Sequence, residues 1–319
     1  MKYKVLCTDG FAGNGVELLK KCGLIEPTVE KSLTHEELLK NIGEYDGLIV
    51  RSASKVTKDV IEAGKKLKII ARAGVGVDNI DVGEATAHGI LVINAPAGNT
   101  TSAAELTFGM LLSLARHIPE AAKAMSEGRW EKKKFQGSEL AGKTLGIIGL
   151  GRIGREVARR AAAFKMNILG FDPLLAGEQF VSLGVTAATK ENIYKGADYI
   201  TVHTPLTDDT QNMITMNELK MMKKTAYVIN CARGGIINEH DLAQALKDGL
   251  IAGAALDVFT KEPFEETIFR GLENCITTPH LGASTAEAQD AVAIEAATNV
   301  IQFFKEGCSS NAVNHPGMN

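Results

Sequence analysis

Thr144-Leu145-Gly146-Ile147-Ile148-Gly149-Leu150-Gly151-Arg152-Ile153-Gly154 is the most informative stretch of the chain. Its apolar start reads as a buried strand, and the pattern from Arg155 to Phe164 reads as a helix. Between them lies G-x-G-x-x-G, which is weak alone but specific between a strand and a helix. Gly149 permits the tight turn, Gly151 lets a pyrophosphate approach the backbone, and Gly154 lets the helix close on the strand. The helix start at Arg152 and Ile153 offers free amides and partial positive charge to phosphate. The next strand runs to Asp172. A carboxylate there accepts both ribose hydroxyls of an adenosine and repels an added 2′-phosphate. Pro173-Leu174-Leu175-Ala176 brings no cation to hold one. The expected cofactor is NAD, not NADP.

Outward from this unit, short apolar runs alternate with amphipathic stretches, the rhythm of α/β architecture. Upstream, strands are expected at 4–8, 47–51, 68–72 and 90–94, with helical patterns at 15–22, 35–42 and 58–64. Downstream, strands are expected at 144–148, 167–171, 199–203, 226–230, 252–256 and 275–278. The reading is two Rossmann-like domains with parallel sheets and the active site in the cleft between them. Ala97-Gly98-Asn99 is turn-like, and Ser102-Ala103-Ala104-Glu105 fits a capping box before an almost wholly apolar helix at 106–116. A second box, Ser284-Thr285-Ala286-Glu287, opens a helix to about Lys305. Pattern alone leaves open which domain that helix joins.

Composition narrows the class. The 319 residues carry 35 basic and 38 acidic side chains, a net charge of −3, so no nucleic acid partner is expected. No apolar run suits a membrane helix, and Met1–Gly10 has neither the apolar core nor the cleavage site of a signal peptide. Cys7, Cys22, Cys231, Cys275 and Cys308 form no Cys-x-x-Cys pair and no zinc spacing. Free thiols, a cytoplasmic location and no metal are expected.

Arg233, Glu262 and His280 each follow an expected strand, where open parallel sheets bind ligands. Singly they read as a surface cation, a loop carboxylate and a loop histidine. Jointly they suit oxidation of an alcohol beside a carboxylate, which needs a cation, a proton acceptor and a group that tunes the acceptor. Several ordered motifs accompany them: 50–54 (VRSAS), 71–81 (ARAGVGVDNID), 99–105 (NTTSAAE), 203–207 (HTPLT), 230–235 (NCARGG), 256–259 (LDVF) and 279–285 (PHLGAST). With the glycine turn, they resemble the D-isomer-specific 2-hydroxyacid dehydrogenases over nearly the whole chain. The resemblance implies that His280 is the acid/base, Glu262 its carboxylate partner, and Arg233 the cation for the substrate carboxylate. It implies that His203, Thr204, Pro205, Cys231, Ala232, Asp257, Gly282 and Ala283 line the cofactor. It also implies a flavodoxin-like substrate domain, residues 1–98 with 284–319, and an NAD domain, residues 99–283.

A phosphorylated D-2-hydroxy acid is the expected substrate, and it needs several cations. Arg51, Ser52 and Arg72 stand at strand ends, and Gly74-Val75-Gly76 offers turn amides for an anion. Asn99 and Lys132 complete the set by resemblance. In relatives with phosphorylated substrates, the segment around Lys132 reaches the neighbouring subunit, so a homodimer is expected. Lys132 and Val75 depart from those relatives, where arginine and threonine are usual; lysine lacks the bidentate fork. Alternatives are a reductase of small unphosphorylated 2-keto acids and, outside enzymes, an NAD-sensing corepressor. No serine-binding regulatory domain is expected within the chain.

Overall fold

The computed structural model describes residues 2–31, 33–265 and 267–317; Met1, Ser32, Glu266, Met318 and Asn319 lie outside the described residues. The chain divides into two compact units, Met1–Thr100 with Ala283–Asn319, and Thr101–Gly282.

In chain order the first unit contains β1 (Tyr3–Cys7), α1 (Gly13–Lys21), β2 (Ile25–Val29), α2 (His35–Asn41), β3 (Gly47–Val50), α3 (Lys58–Ala63), β4 (Ile69–Arg72), α4 (Val82–Ala87) and β5 (Leu91–Ile93). All five strands are parallel, in the order β2-β1-β3-β4-β5, which is the flavodoxin-like order. The four residues of β3 are all buried, as expected for a strand covered on both faces. Strand β2 escapes pattern reading because it carries Pro27, which a sheet tolerates at its edge.

The second unit contains α5 (Thr100–Arg116), α6 (Ile118–Ser126), β6 (Thr144–Ile148), α7 (Arg152–Ala163), β7 (Asn167–Phe171), α8 (Gly177–Ser182), β8 (Thr186–Ala187), α9 (Lys190–Gly196), β9 (Tyr199–Val202), α10 (Met216–Met221), β10 (Tyr227–Asn230), α11 (Glu239–Lys247), β11 (Gly253–Leu256) and β12 (Cys275–Thr277). The seven parallel strands run β12-β11-β10-β9-β6-β7-β8, so the strand order reverses between β6 and β9. Such a switch point opens a crevice beyond the strand ends, where ligands bind. Apolar side chains of α5 and α7 cover one face of this sheet, and those of α9 and α11 the other.

Two helix starts differ from expectation. Helix α5 begins at Thr100, which puts Ser102 inside its first turn instead of at a cap, and Glu105 pairs with Arg160 at 3.2 Å. Only one face of α5 is fully buried, through residues such as Phe108, Leu111 and Leu114. Helix α12 (Ala286–Glu306) is capped by Thr285, one residue later than Ser284, and its hydroxyl accepts from Ala288 N. α12 packs in the first unit, where Val292, Ala296 and Val300 join the cluster of Val16 and Leu19. A side chain at Gly98 would stand 2.7 Å from Val292, and Glu295 accepts from the amides of Ala97 and Gly98.

Candidate active site

The glycine turn of the second unit is built by close approach. Gly149 has φ +95°, and a Cβ there would lie 2.5 Å from the His203 carbonyl. A Cβ on Gly154 would lie 2.1 Å from the Gly149 carbonyl, so α7 can close on β6 only with glycine there. Gly151, ahead of Arg152 and Ile153, faces open space. The turn is tied to the next strand: Leu150 N and Leu174 N each donate to Asp172, at 2.8 and 2.9 Å.

Across the switch point, His203 Nε2 lies 3.0 Å from Thr201 Oγ1, while His203 Nδ1 and Thr204 Oγ1 are buried without a protein partner. Burial pushes the His203 imidazole down to about 4, which keeps it neutral. Orphaned polar atoms beside an open glycine turn, a helix N-terminus and a strand-end carboxylate fit a dinucleotide. Pro205 follows exposed. Ala283 opens the returning segment of the first unit and accepts from Gln289 Nε2.

The second unit also brings the predicted trio together. His280 Nδ1 lies 2.6 Å from Glu262 Oε2, and Glu262 Oε1 accepts from Phe259 N at 3.0 Å. Burial raises the Glu262 carboxyl, but the bonds from His280 and Phe259 and the charges of His280 and Arg233 outweigh it and hold the group below its ordinary range. Arg233 Nη1 donates to its neighbour Ala232 O at 2.6 Å, and Asn230 braces this turn through Arg233 O and Ala232 N. A Cβ on Gly234 would lie 1.9 Å from the Phe259 carbonyl carbon, so the arginine turn rests directly on the chain leading to Glu262.

Asp257 has a clear structural task. It is fully buried, and its carboxylate accepts from Thr278 Oγ1, Leu281 N and Gly282 N, while its carbonyl accepts from His280 N. These bonds bracket His280, whose φ is +55°. Cys231 is a free, buried thiol whose Sγ lies 3.4 Å from Met110 Sδ. Burial pushes it up to about 12, so it packs as a protonated small residue.

In the first unit, Arg51 and Arg72 stand at the ends of adjacent strands, with Val50 opposite Arg72. The Arg51 loop depends on residues that pattern reading passed over. Asp9 accepts from Arg51 N, Ser54 N and Ser54 Oγ, its carbonyl accepts from Arg51 Nη1, and Asn79 donates to the carbonyls of Arg51 and Ser54. Their only local trace is Asp9 just past a strand end. Ser52 is exposed, and Asn99 Oδ1 is buried without a partner.

At the expected amide nest, 74–76, one amide is already engaged. Gly74 N donates to Arg72 O at 2.9 Å, and Gly74 has φ +155°, a conformation that other residues rarely adopt. Val75 O accepts from Asn94. The arm around Lys132 is also less cationic than its letters suggest: Arg129 pairs with Glu127 and Glu131, and Lys134 pairs with Glu273 at 3.4 Å. Lys132 itself is exposed. Among the described residues no group of three or more side chains could hold a metal, and no helix is long and apolar enough to cross a membrane.

Residues 108–282 match the family described as D-isomer specific 2-hydroxyacid dehydrogenase, NAD binding domain. D-3-phosphoglycerate dehydrogenase of Methanocaldococcus jannaschii is 48% identical over 316 residues, 99% of this chain and 60% of its own length. The human D-3-phosphoglycerate dehydrogenase is 49% identical over 312 residues, 98% of this chain and 58% of its own. The chain therefore spans less than two thirds of these relatives. The crystal structure of NAD+-bound 3-phosphoglycerate dehydrogenase from Entamoeba histolytica matches with a TM-score of 0.84 at 30% identity, over 99% of each chain.

Proposed function

The chain belongs to the D-isomer specific 2-hydroxyacid dehydrogenase family, and from that premise we propose that it interconverts 3-phosphoglycerate and 3-phosphohydroxypyruvate with NAD, by resemblance the first step of serine synthesis. The observation that carries the chemistry is the 2.6 Å His280–Glu262 hydrogen bond beside the Arg233 turn. An ionised Glu262 can only accept, so Nδ1 of His280 carries a proton and Nε2 is the nitrogen that meets substrate. In oxidation Nε2 takes the C2 hydroxyl proton, and in reduction it returns one. Arg233 holds the substrate carboxylate and polarises the C2 oxygen. NAD supplies the hydride acceptor when bound. Arg51 and Arg72 are assigned to the phosphate, with Ser52, Val75, Gly76 and Asn99 as neutral contacts.

The test is a panel of D-2-hydroxy acids and 2-keto acids, with and without a C3 phosphate, run with NAD and NADP. Turnover should be best for the phosphorylated pair with NAD, and Asp172→Ala should erode the preference for NAD. Equal or better rates with an unphosphorylated acid, or with NADP in the parent, would overturn the corresponding assignment.

We assign a cytoplasmic homodimer as the working form. Where α5 meets α6, Arg116, Ile118, Ala121, Ala122 and Met125 line an apolar groove, and Trp130, just after α6 in the chain, is 78% exposed. Apolar surface of this kind favours a partner, and the adjoining Lys132 would then serve the partner's site. An active monomer in sedimentation would refute the dimer.

A further inference from the structure

The trio is held by a frame of hydrogen bonds, and Glu239 joins that frame from the start of a neighbouring helix. Glu239 opens α11, directly after its cap Asn238. One oxygen, Oε1, accepts both from Thr260 N at 2.6 Å and from Thr260 Oγ1 at 2.8 Å. Thr260 is exposed, yet it follows Phe259, whose amide holds Glu262, and both residues form the backbone on which Gly234 rests. A Cβ on Gly234 would lie 2.4 Å from Thr260 N, so a shift of this peptide would press on the Arg233 turn as well.

We propose that Glu239 is a positioning residue: by latching Thr260 it fixes the Phe259 peptide, and through it sets the aim of Glu262, His280 and Arg233. The proposal rests on the functional reading above. A carboxylate at a helix start stabilises the helix by its charge alone. That role would leave the rate profile unmoved. The latch would not, because it anchors Thr260, the residue directly after Phe259, whose amide helps keep Glu262 ionised.

The experiment compares Glu239→Ala, Glu239→Gln and parent holoenzyme. Glu239→Ala should lower kcat about tenfold with KM changed less than about twofold, the mark of a misaimed catalytic group. The acid limb of 2-keto-acid reduction, where Glu262 protonates, should move to higher pH. Thr260 amide exchange, read by mass spectrometry or NMR, should accelerate about tenfold or more as its acceptor is lost. Glu239→Gln keeps a carbonyl acceptor and should restore kcat and exchange to within about twofold of the parent. An Ala variant with the parent's kcat and acid limb, or with unchanged Thr260 exchange, overturns the proposal. If the parent itself turns over no compound of the panel, the functional reading fails, and exchange at Thr260 alone still decides whether the latch exists.

Discussion

Two loops, one in each unit, are built on the same plan and protected to different degrees. Asp9 follows β1 and holds the Arg51 loop beyond the neighbouring β3; Asp257 follows β11 and holds the His280 loop beyond the neighbouring β12. Asp172, after β7, does the same for the glycine turn beyond β6. In each case a strand-end carboxylate takes amides that the adjacent parallel strand leaves unpaired. The difference is burial: Asp257 is fully buried, and Asp9 keeps access to water. Water can replace a lost partner at Asp9 but not at Asp257. The His280 loop is thus held more rigidly than the Arg51 loop.

Asp257→Ala should break the comparison most sharply. It strands two amides and a hydroxyl, and stability measured by urea unfolding should fall by about 3 kcal/mol or more. If Asp257→Ala costs no more than Asp9→Ala, burial does not separate the two loops.

His280→Ala sharpens the contrast between a held residue and its holder. The half-exposed imidazole contributes little packing. kcat should fall about 100-fold or more while stability stays within about 1 kcal/mol, read from steady-state rates and urea unfolding of one preparation. A large loss of stability would make His280 part of the scaffold.

The second unit's protection also predicts a pH dependence. The His203 ring titrates near 4 in the fold, against an ordinary value near 6.5, so the unfolded chain binds the extra proton between those values. Stability is therefore fully present above about pH 6.5 and lost as pH falls toward 4. Between pH 7 and pH 5 the parent should lose about 2 kcal/mol more than His203→Gln does, each followed by urea unfolding without cofactor. Equal losses would mean that the ring is solvated.

The smallest effect is expected at Asp9. Asp9→Ala should cost about 1 kcal/mol and raise KM for a phosphorylated acid several-fold, with kcat little changed. A fall in kcat with constant KM would move the Arg51 loop from binding to chemistry.

The sequence by itself determined the parts whose physics is written within a few residues. Apolar runs such as Gly47–Val50 and Thr144–Ile148 became buried parallel strands. Gly149, Gly151 and Gly154, around the start of α7, announced a close turn, and Asp172 announced a carboxylate at the next strand end. Arg233, Glu262 and His280 were legible as strand-end candidates. Ser102 shows the limit even of local reading: its capping pattern was present, but α5 starts two residues earlier. Strand β2 was hidden because Pro27 argues against a strand until β1 pairs with it.

Only the tertiary structure decided the partnerships. Asp9 meets Arg51 across 42 residues, Asp257 meets Leu281 across 24, and Glu295 of α12 meets Ala97 across 198. It also engaged Gly74 N with Arg72 O and made Asp257 the brace of the His280 loop. The reason is the same in each case. In parallel sheets neighbours in space are separated by crossover helices, so the strand order, and not local periodicity, determines which strand-end side chain can reach which unpaired amide.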